Sequence, residues 1–314
     1  AAGQQRVPVE FIANFPIPLP PLPEQTAIVR FLDWAGRRIR RVIQARKNRI
    51  RLLEEYKQAL IHRAVTGQID VRTGQPYPAY KPSGVEWLGQ VPEHWEVRCL
   101  KHICRLVYGE ALPDASRKDG SVPVYGSNGR VGFHSVPNAQ APCIVIGRKG
   151  SFGKVQYSDV PVFAIDTTFF VDGRFTSAHL RWLSFALGCL GLDEVSKSSA
   201  VPGLEREDAY KRFLPLPPLP EQTAIVEYLD AQTAKIDTAI ATSHREIELL
   251  REYRTRLIAD VVTGKVDVRE VAARLPEELS EEEAESMDAD EIAEDEATDE
   301  EAGTETVEEE EVEP

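Results

Sequence analysis

Apolar positions set the rhythm of this chain in two long stretches. Leu32, Ile39, Leu53 and Leu60 fall at multiples of seven from one another, as do Ile43 and Ile50. Leu229, Ile236, Leu250 and Leu257, with Ile240 and Ile247, repeat the pattern further on. Steps alternating between three and four keep one apolar seam along a helix and turn it toward a coiled-coil partner. The punctuation agrees. The run PLPPLP leads in, and Pro23 suits a first helical turn, where its missing N–H costs nothing. Glu24 then meets the positive end of the helix dipole. No proline and a single glycine, Gly36, interrupt the run from Gln25 to Val65, and Thr66-Gly67 supplies a left-handed stop. The second stretch runs from Pro220 to Gly264 with the same signs. The pattern predicts two helices of about 40 residues, each about 60 Å long at ~1.5 Å per residue.

Between them the period changes from seven to two. Val122-Pro123-Val124-Tyr125, Cys143-Ile144-Val145-Ile146, Lys154-Val155-Gln156-Tyr157 and Phe169-Phe170-Val171 read as strands among Gly- and Ser-rich turns. Ser177–Leu190 reads as a helix capped by Ser177. The expected fold class is α+β: a mixed domain over 73–212 carried on long helices over 16–72 and 213–269. Beyond Arg269 the chain turns to Glu, Asp, Ala and Thr, and 270–314 reads as a disordered acidic tail.

The two helical stretches are copies of each other. PLPPLPEQTAIV begins at Pro18 and again at Pro215, and at that offset 29 of the 55 positions from Pro18 to Arg72 are identical. Charge suggests how the copies meet. Residues 24–63 hold eleven bases and four acids, and residues 221–260 hold five bases and eight acids. The simplest arrangement pairs them antiparallel, since the chain goes out along one and returns along the other. Pairing of each helix with another protein is the alternative. Polar seam positions, Arg46/Ser243 and Lys57/Arg254, would fix register at some cost in stability.

The net charge of −14 hides a division. The tail holds 22 acids and one base, whereas residues 1–269 hold 36 bases and 29 acids. The body is mildly basic, so an anionic partner suits it. No run of ~18 apolar residues predicts a membrane span, and no signal peptide is visible. The expected location is the cytoplasm. The start at Ala1, abrupt and without Met, reads as a truncated N-terminus.

Catalytic and metal signatures are weak. Cys99 and Cys104 lie near His94 and His102, but the spacing fits no common zinc site, and small buried hydrophobes are the better reading. The stretch Gly147–Lys154 imitates a phosphate loop one residue too long, with Val155 where Ser or Thr would bind Mg²⁺. Glu55-Tyr56-Lys57 imitates a nuclease motif inside a predicted coiled-coil helix. An Asn/Asp-Pro-Pro-aromatic methyltransferase motif and its Gly-rich cofactor loop are missing.

Several segments resemble a known family in the right order. These are PLPPLPEQ with its long helix ending in TGxxDVR, GVEWLGQVPEHWEV (84–97), VYGSNGRVGFHS (124–135), IVIGRKGSFGKV (144–155) and SAVPGLEREDAYKRF (199–213). Together they resemble the specificity subunit of type I restriction–modification systems across nearly all of 1–269. The family's full form is a recognition domain, a long helix, a second recognition domain and a second long helix. Here 1–15 resembles only the close of a first recognition domain, and the acidic tail has no counterpart.

The resemblance implies a non-catalytic subunit that binds double-stranded DNA, docks modification subunits and joins restriction subunits through the complex. AdoMet, ATP and Mg would belong to those partners. One recognition domain would read half of a bipartite site; a homodimer would make the target palindromic. The expected DNA-contacting residues are Arg148, Lys149 and Lys154 on one turn, Ser127, Asn128 and Arg130 on another, and Lys197, Ser198 and Ser199 on a third. Arginine pairs bidentately with guanine, and lysine suits phosphates. The recognisable turns would then position the domain if less familiar loops, Ala111–Gly120 and Asp172–Ser177, do the reading. Two rivals remain at this point: a coiled-coil scaffold binding only proteins, and an inert remnant. The tail is either a solubilising extension or a competitor for the DNA surface.

Overall fold

The structure is a computed structural model and describes residues 13–14, 16–194 and 203–276. Residues 277–314, residues 195–202 and nearly all of 1–15 lie outside the described residues. Both predicted helices are present and 44 residues long: α1 is Leu22–Val65. Between them come β1 (Tyr80–Pro82), β2 (Gln90–Pro92), β3 (Glu96–Cys99), β4 (Val107–Tyr108), β5 (Val122–Gly126) and β6 (Gly129–His134). Next are β7 (Cys143–Gly147), β8 (Val155–Ser158), β9 (Phe163–Ala164), β10 (Thr168–Asp172), α2 (Leu180–Gly188), α3 (Arg206–Tyr210) and β11 (Phe213–Leu216). The second long helix, α4, is Leu219–Val262, followed by α5, Arg269–Ala273. No helix among the described residues is long and apolar enough to cross a membrane.

The chain forms two compact units, 46–246 and 1–45 with 247–314, and each long helix contributes to both. In the 46–246 unit, α1 and α4 run antiparallel. Lys57 pairs with Asp237 and Arg46 with Glu246, each at 2.6 Å, so numbers fall along one helix as they rise along the other. Both cations are polar seam positions of α1. Ser243, the seam position of α4, is fully buried and returns its hydroxyl to the Ala239 carbonyl at 2.9 Å. Ile39, Ile43, Ile50, Leu60, Leu229, Ile236 and Ile247 are buried, and Leu32, Leu53, Ile240, Leu250 and Leu257 are half-buried.

The central sheet has the order β4-β10-β7-β8, all antiparallel. Every residue of β7 and β10 is buried, and their alternation serves two cores. Ile144, Ile146, Phe169 and Val171 face one that includes Trp182, Leu183, Ala186 and Leu187 of α2, with Leu60, Val65, Ile225 and Leu229 of the long helices. Cys143, Val145 and Phe170 face a smaller one with Ala139, Val162 and Ala164. Helix α2 starts three residues later than expected, because His179 rather than Ser177 accepts from the first turn. A second sheet, β6-β5-β9, joins the β5–β6 hairpin to a parallel partner.

The proline-rich lead into α4 is itself a strand. β11 pairs with β3 from Phe213↔Cys99 to Leu216↔Glu96. Proline lacks a donor and is confined to edges, which a two-stranded sheet supplies on both sides. Just beyond it Glu221 is buried and accepts from Trp95 Nε1 at 2.9 Å and Tyr77 Oη at 3.0 Å, with His94 Nε2 at 2.7 Å. Burial works to raise this carboxyl, but the Trp95, His94 and Tyr77 contacts outweigh it and hold it below the usual value. Gln222 accepts from the His179 N–H at 2.8 Å, and Asp230 from Arg181 at 2.8 Å. These three side chains of α4 seat the domain over 73–212.

Candidate nucleic-acid interface

Three turns meet at one carbonyl. The β5–β6 hairpin closes through Ser127 and Asn128, since Gly126 pairs with Gly129. The β7–β8 connection folds back as Gly147 N–H donates to Lys154 O and Gly153 N–H to Gly147 O, both at 2.9 Å. The third turn leads into β10. Its Thr167 carbonyl accepts from Ser127 Oγ at 2.7 Å, Arg148 N at 2.8 Å and Lys149 N at 3.2 Å. Three donors on one acceptor lock the turns together. Gly147 is needed for this approach: a Cβ there would lie 2.3 Å from the Ser151 carbonyl and 3.1 Å from that of Ser127.

The residues expected to face DNA divide accordingly. Asn128, Arg130, Lys149 and Lys154 are exposed, and Lys154 Nζ donates to Asn128 Oδ1 at 2.5 Å. Arg130 lies over the Phe133 ring, 5.2 Å from its centroid. Ser127 is buried and its hydroxyl donates to the Thr167 carbonyl, so it braces the turn and has no donor left for a base edge. Arg148 is half-buried, over Tyr108 at 5.1 Å and Phe169 at 5.9 Å. Lys197, Ser198 and Ser199 lie outside the described residues. Of the less familiar loops, 172–174 is bound down: buried Asp172 accepts from Gln140 N and Arg174 Nε, each at 3.0 Å.

Two residues of this surface escape a reading of the sequence. Tyr108 ends β4 beside the turn, and Arg206 lies 4.9 Å from its ring centroid. Arg206 arrives because Leu204 N–H donates to the Arg148 carbonyl at 2.8 Å, a pairing of residues 56 apart that no local pattern announces. Among the described residues, Arg130, Arg148, Lys149 and Lys154 have no carboxylate within ion-pair reach, whereas Arg46, Lys57, Arg174, Arg181 and Lys211 all do. No group of three His, Cys, Asp or Glu able to hold a metal occurs among the described residues. Burial pushes the Cys104, Cys143 and Cys189 thiols up to about 12, far from the thiolate a ligand or nucleophile needs.

Comparison with known proteins gives this surface a context. The type I restriction modification DNA specificity domain family matches residues 1–52 and 92–249. A protein of Methanocaldococcus jannaschii, provisionally named the MjaX type I restriction enzyme specificity subunit, is 24% identical over 293 residues. That alignment takes in 86% of this chain and 63% of the relative. A chain solved in work on complex assembly and conformational transition of the type I R-M system superposes with a TM-score of 0.61 at 21% identity. It covers 80% of this chain and 62% of its own length. The type I S subunit of M. genitalium gives 0.50 at 19% identity, over 76% and 61% respectively. The chain thus spans less than two thirds of the relatives it matches.

Proposed function

The chain belongs to the type I restriction–modification DNA specificity family, and from that premise we propose that it is a non-catalytic DNA-recognition subunit. The domain over 73–212 reads one half of a bipartite duplex target, and the long helices dock modification subunits. The observation that carries this reading is the set of four cations on or beside the locked turns, Arg130 at the start of β6 with Arg148, Lys149 and Lys154, left without carboxylate partners among the described residues. Rigid turns hold charge where a phosphate backbone can take it up without further ordering. Methylation and cleavage fall to partner subunits, which bring AdoMet, ATP and Mg.

Helix length suits the task. A helix of 44 residues is about 66 Å long, close to two turns of duplex at ~34 Å each. Two recognition domains held on such helices would lie on one face of the DNA with an unread spacer between their half-sites. A homodimer would supply the second half-site as a symmetric copy of the first.

The test is co-expression with the cognate modification subunit in a methylation-free host, followed by mapping of methylated bases. A two-part motif with a fixed spacer is the expected result, palindromic if the chain dimerises. Charge reversal of Lys149 and Lys154 should abolish methylation while the modification subunit still copurifies. Methylation that survives the reversal undiminished would rule out this surface as the DNA contact. Copurification without any DNA binding by the unaltered complex would favour a scaffold that binds only proteins.

A further inference from the structure

We propose that Arg148, Arg206 and Tyr108 form a site for a single backbone phosphate of duplex DNA, a contact that positions the domain without reading a base. The inference rests on the DNA-recognition reading above and assigns Arg148 a different role from the guanine contact its chemistry first suggests. Tyr108 is 41% exposed at the end of β4, and two guanidinium groups lie over its ring, Arg148 at 5.1 Å and Arg206 at 4.9 Å from the centroid.

Backbone pairing puts them there. Tyr108 is the register partner of Phe169, whose other neighbour is Ile146, two residues before Arg148. On the far side of the turn, Leu204 is bonded to the Arg148 carbonyl, which lays the start of α3 and its Arg206 against the same ring. Phe169 is fully buried and backs Tyr108 from the core, with centroids 4.9 Å apart. The platform is therefore fixed from behind.

Charge balance points to the ligand. Two like charges against one ring, at most about 10 Å apart because they lie 5.1 and 4.9 Å from its centroid, repel, and the ring offsets that only in part. Among the described residues the sole carboxylate within ion-pair reach of either guanidinium is Glu207, 4.0 Å from Arg206 Nε, and that nitrogen has no hydrogen-bond partner. An anion bridging the pair supplies what the fold lacks. A phosphodiester fits, because each guanidinium offers a planar fork matched to phosphate oxygens. Contacts of this kind set register and orientation on the duplex and carry no sequence information.

The test measures binding of the complex with modification subunits to a duplex carrying the mapped target and to one lacking it, across a range of salt. Arg148→Gln, Arg206→Gln and the double variant should each weaken binding to both duplexes by the same factor. The double variant should also lower the slope of log K against log salt by about one, and each single variant by no more than that, because one phosphate is involved. Arg148→Lys should restore the slope, since a point charge suffices for phosphate. Tyr108→Phe, which keeps the platform, should bind as the unaltered chain does, and matching circular dichroism melts verify that the variants fold.

A loss confined to the target duplex, with Arg148→Lys no better than Arg148→Gln, would make Arg148 a base reader and overturn the proposal. So would unchanged binding by the double variant. Inorganic phosphate at constant ionic strength should not compete; competition that the double variant abolishes would mark a free-anion site instead. If the unaltered complex binds neither duplex, the DNA-recognition reading fails and takes this site with it. That result is distinct from normal binding that ignores these variants.

Discussion

Residues 24–29 and 221–226 both read EQTAIV, and they live in different surroundings. Their local geometry is the same. Gln25 Nε2 donates to Pro20 O at 2.8 Å, as Gln222 Nε2 does to Pro217 O at 2.8 Å. Both helices end on a glycine with φ of 75°, and in both the next N–H reaches five residues back, Gln68 to Arg63 and Lys265 to Asp260. Asp70 grips Arg72 just as Asp267 grips Arg269, Oδ1 to Nε at 2.9 Å in each. Burial is where the copies part. Val226 is 8% exposed and Leu214 0%, whereas Val29 is 58% and Ile17 73% exposed. Identical strings thus encode identical caps and turns, while among the described residues Leu214 and Val226 join the core with Trp95 and their counterparts Ile17 and Val29 stay exposed.

Substitution at the covered copy should break this contrast most strongly. Trp95 is fully buried in the main core and donates to Glu221. Trp95→Ala should cost about 3–5 kcal/mol, as large aromatic deletions from cores do. Urea unfolding of the 46–246 unit would show it, and an unchanged midpoint would mean that the socket does not hold the domain.

The two stop glycines give a sharper comparison because their own geometry is equal. A Cβ on Gly264 meets nothing within 4 Å, so Gly264→Ala should cost only the left-handed penalty of about 1–2 kcal/mol. A Cβ on Gly67 would lie 2.4 Å from Pro92 Cδ and 2.9 Å from Trp95, and Gly67→Ala should cost more than its twin. Equal losses in thermal melts would mean that the domain yields freely at this contact. The glutamates extend the series. Glu221→Gln disturbs two buried contacts and one part-buried one and should cost about 1.5–3 kcal/mol, while Glu24→Gln should stay within about 0.5 kcal/mol.

How much of this could be read in advance follows from the range of the interactions. Both long helices were legible to within a few residues, because a seam of period seven, a proline lead and a Thr-Gly stop are all local signals. The buried strands β7 and β10 were legible from short apolar runs. β11 was not, since Pro215 argues against a strand until its edge position beside β3 is known. At the candidate interface, sequence located the turns but not the roles of their side chains. Ser127 and Asn128 look alike as polar turn residues; only the Thr167 carbonyl, 40 residues away, takes the Ser127 hydroxyl inward. Arg206 lies inside the 199–213 segment, but nothing local marks it as part of this surface; the backbone bond between Leu204 and Arg148 brings it there.

The smallest expected effect is a dependence on acid that belongs to the covered copy. The Glu221 carboxyl sits below its usual 4.5 in the folded chain, because Trp95, His94 and Tyr77 together outweigh the effect of burial. A carboxyl depressed on folding adds stability above its unfolded value, and that contribution is lost as pH falls through the folded one. Asp70, held low by Arg72, and Asp172, whose burial is outweighed by Arg174 and Gln140, add losses of the same sign. The Glu221 share is isolated by comparing the unaltered chain with Glu221→Gln between pH 6 and pH 3, at fixed ionic strength. The unaltered chain should lose stability more steeply below about pH 4.5, so that the two curves converge in acid. Parallel curves would mean that the Glu221 charge contributes nothing to seating the domain, and that the contrast between the two copies rests on apolar burial alone.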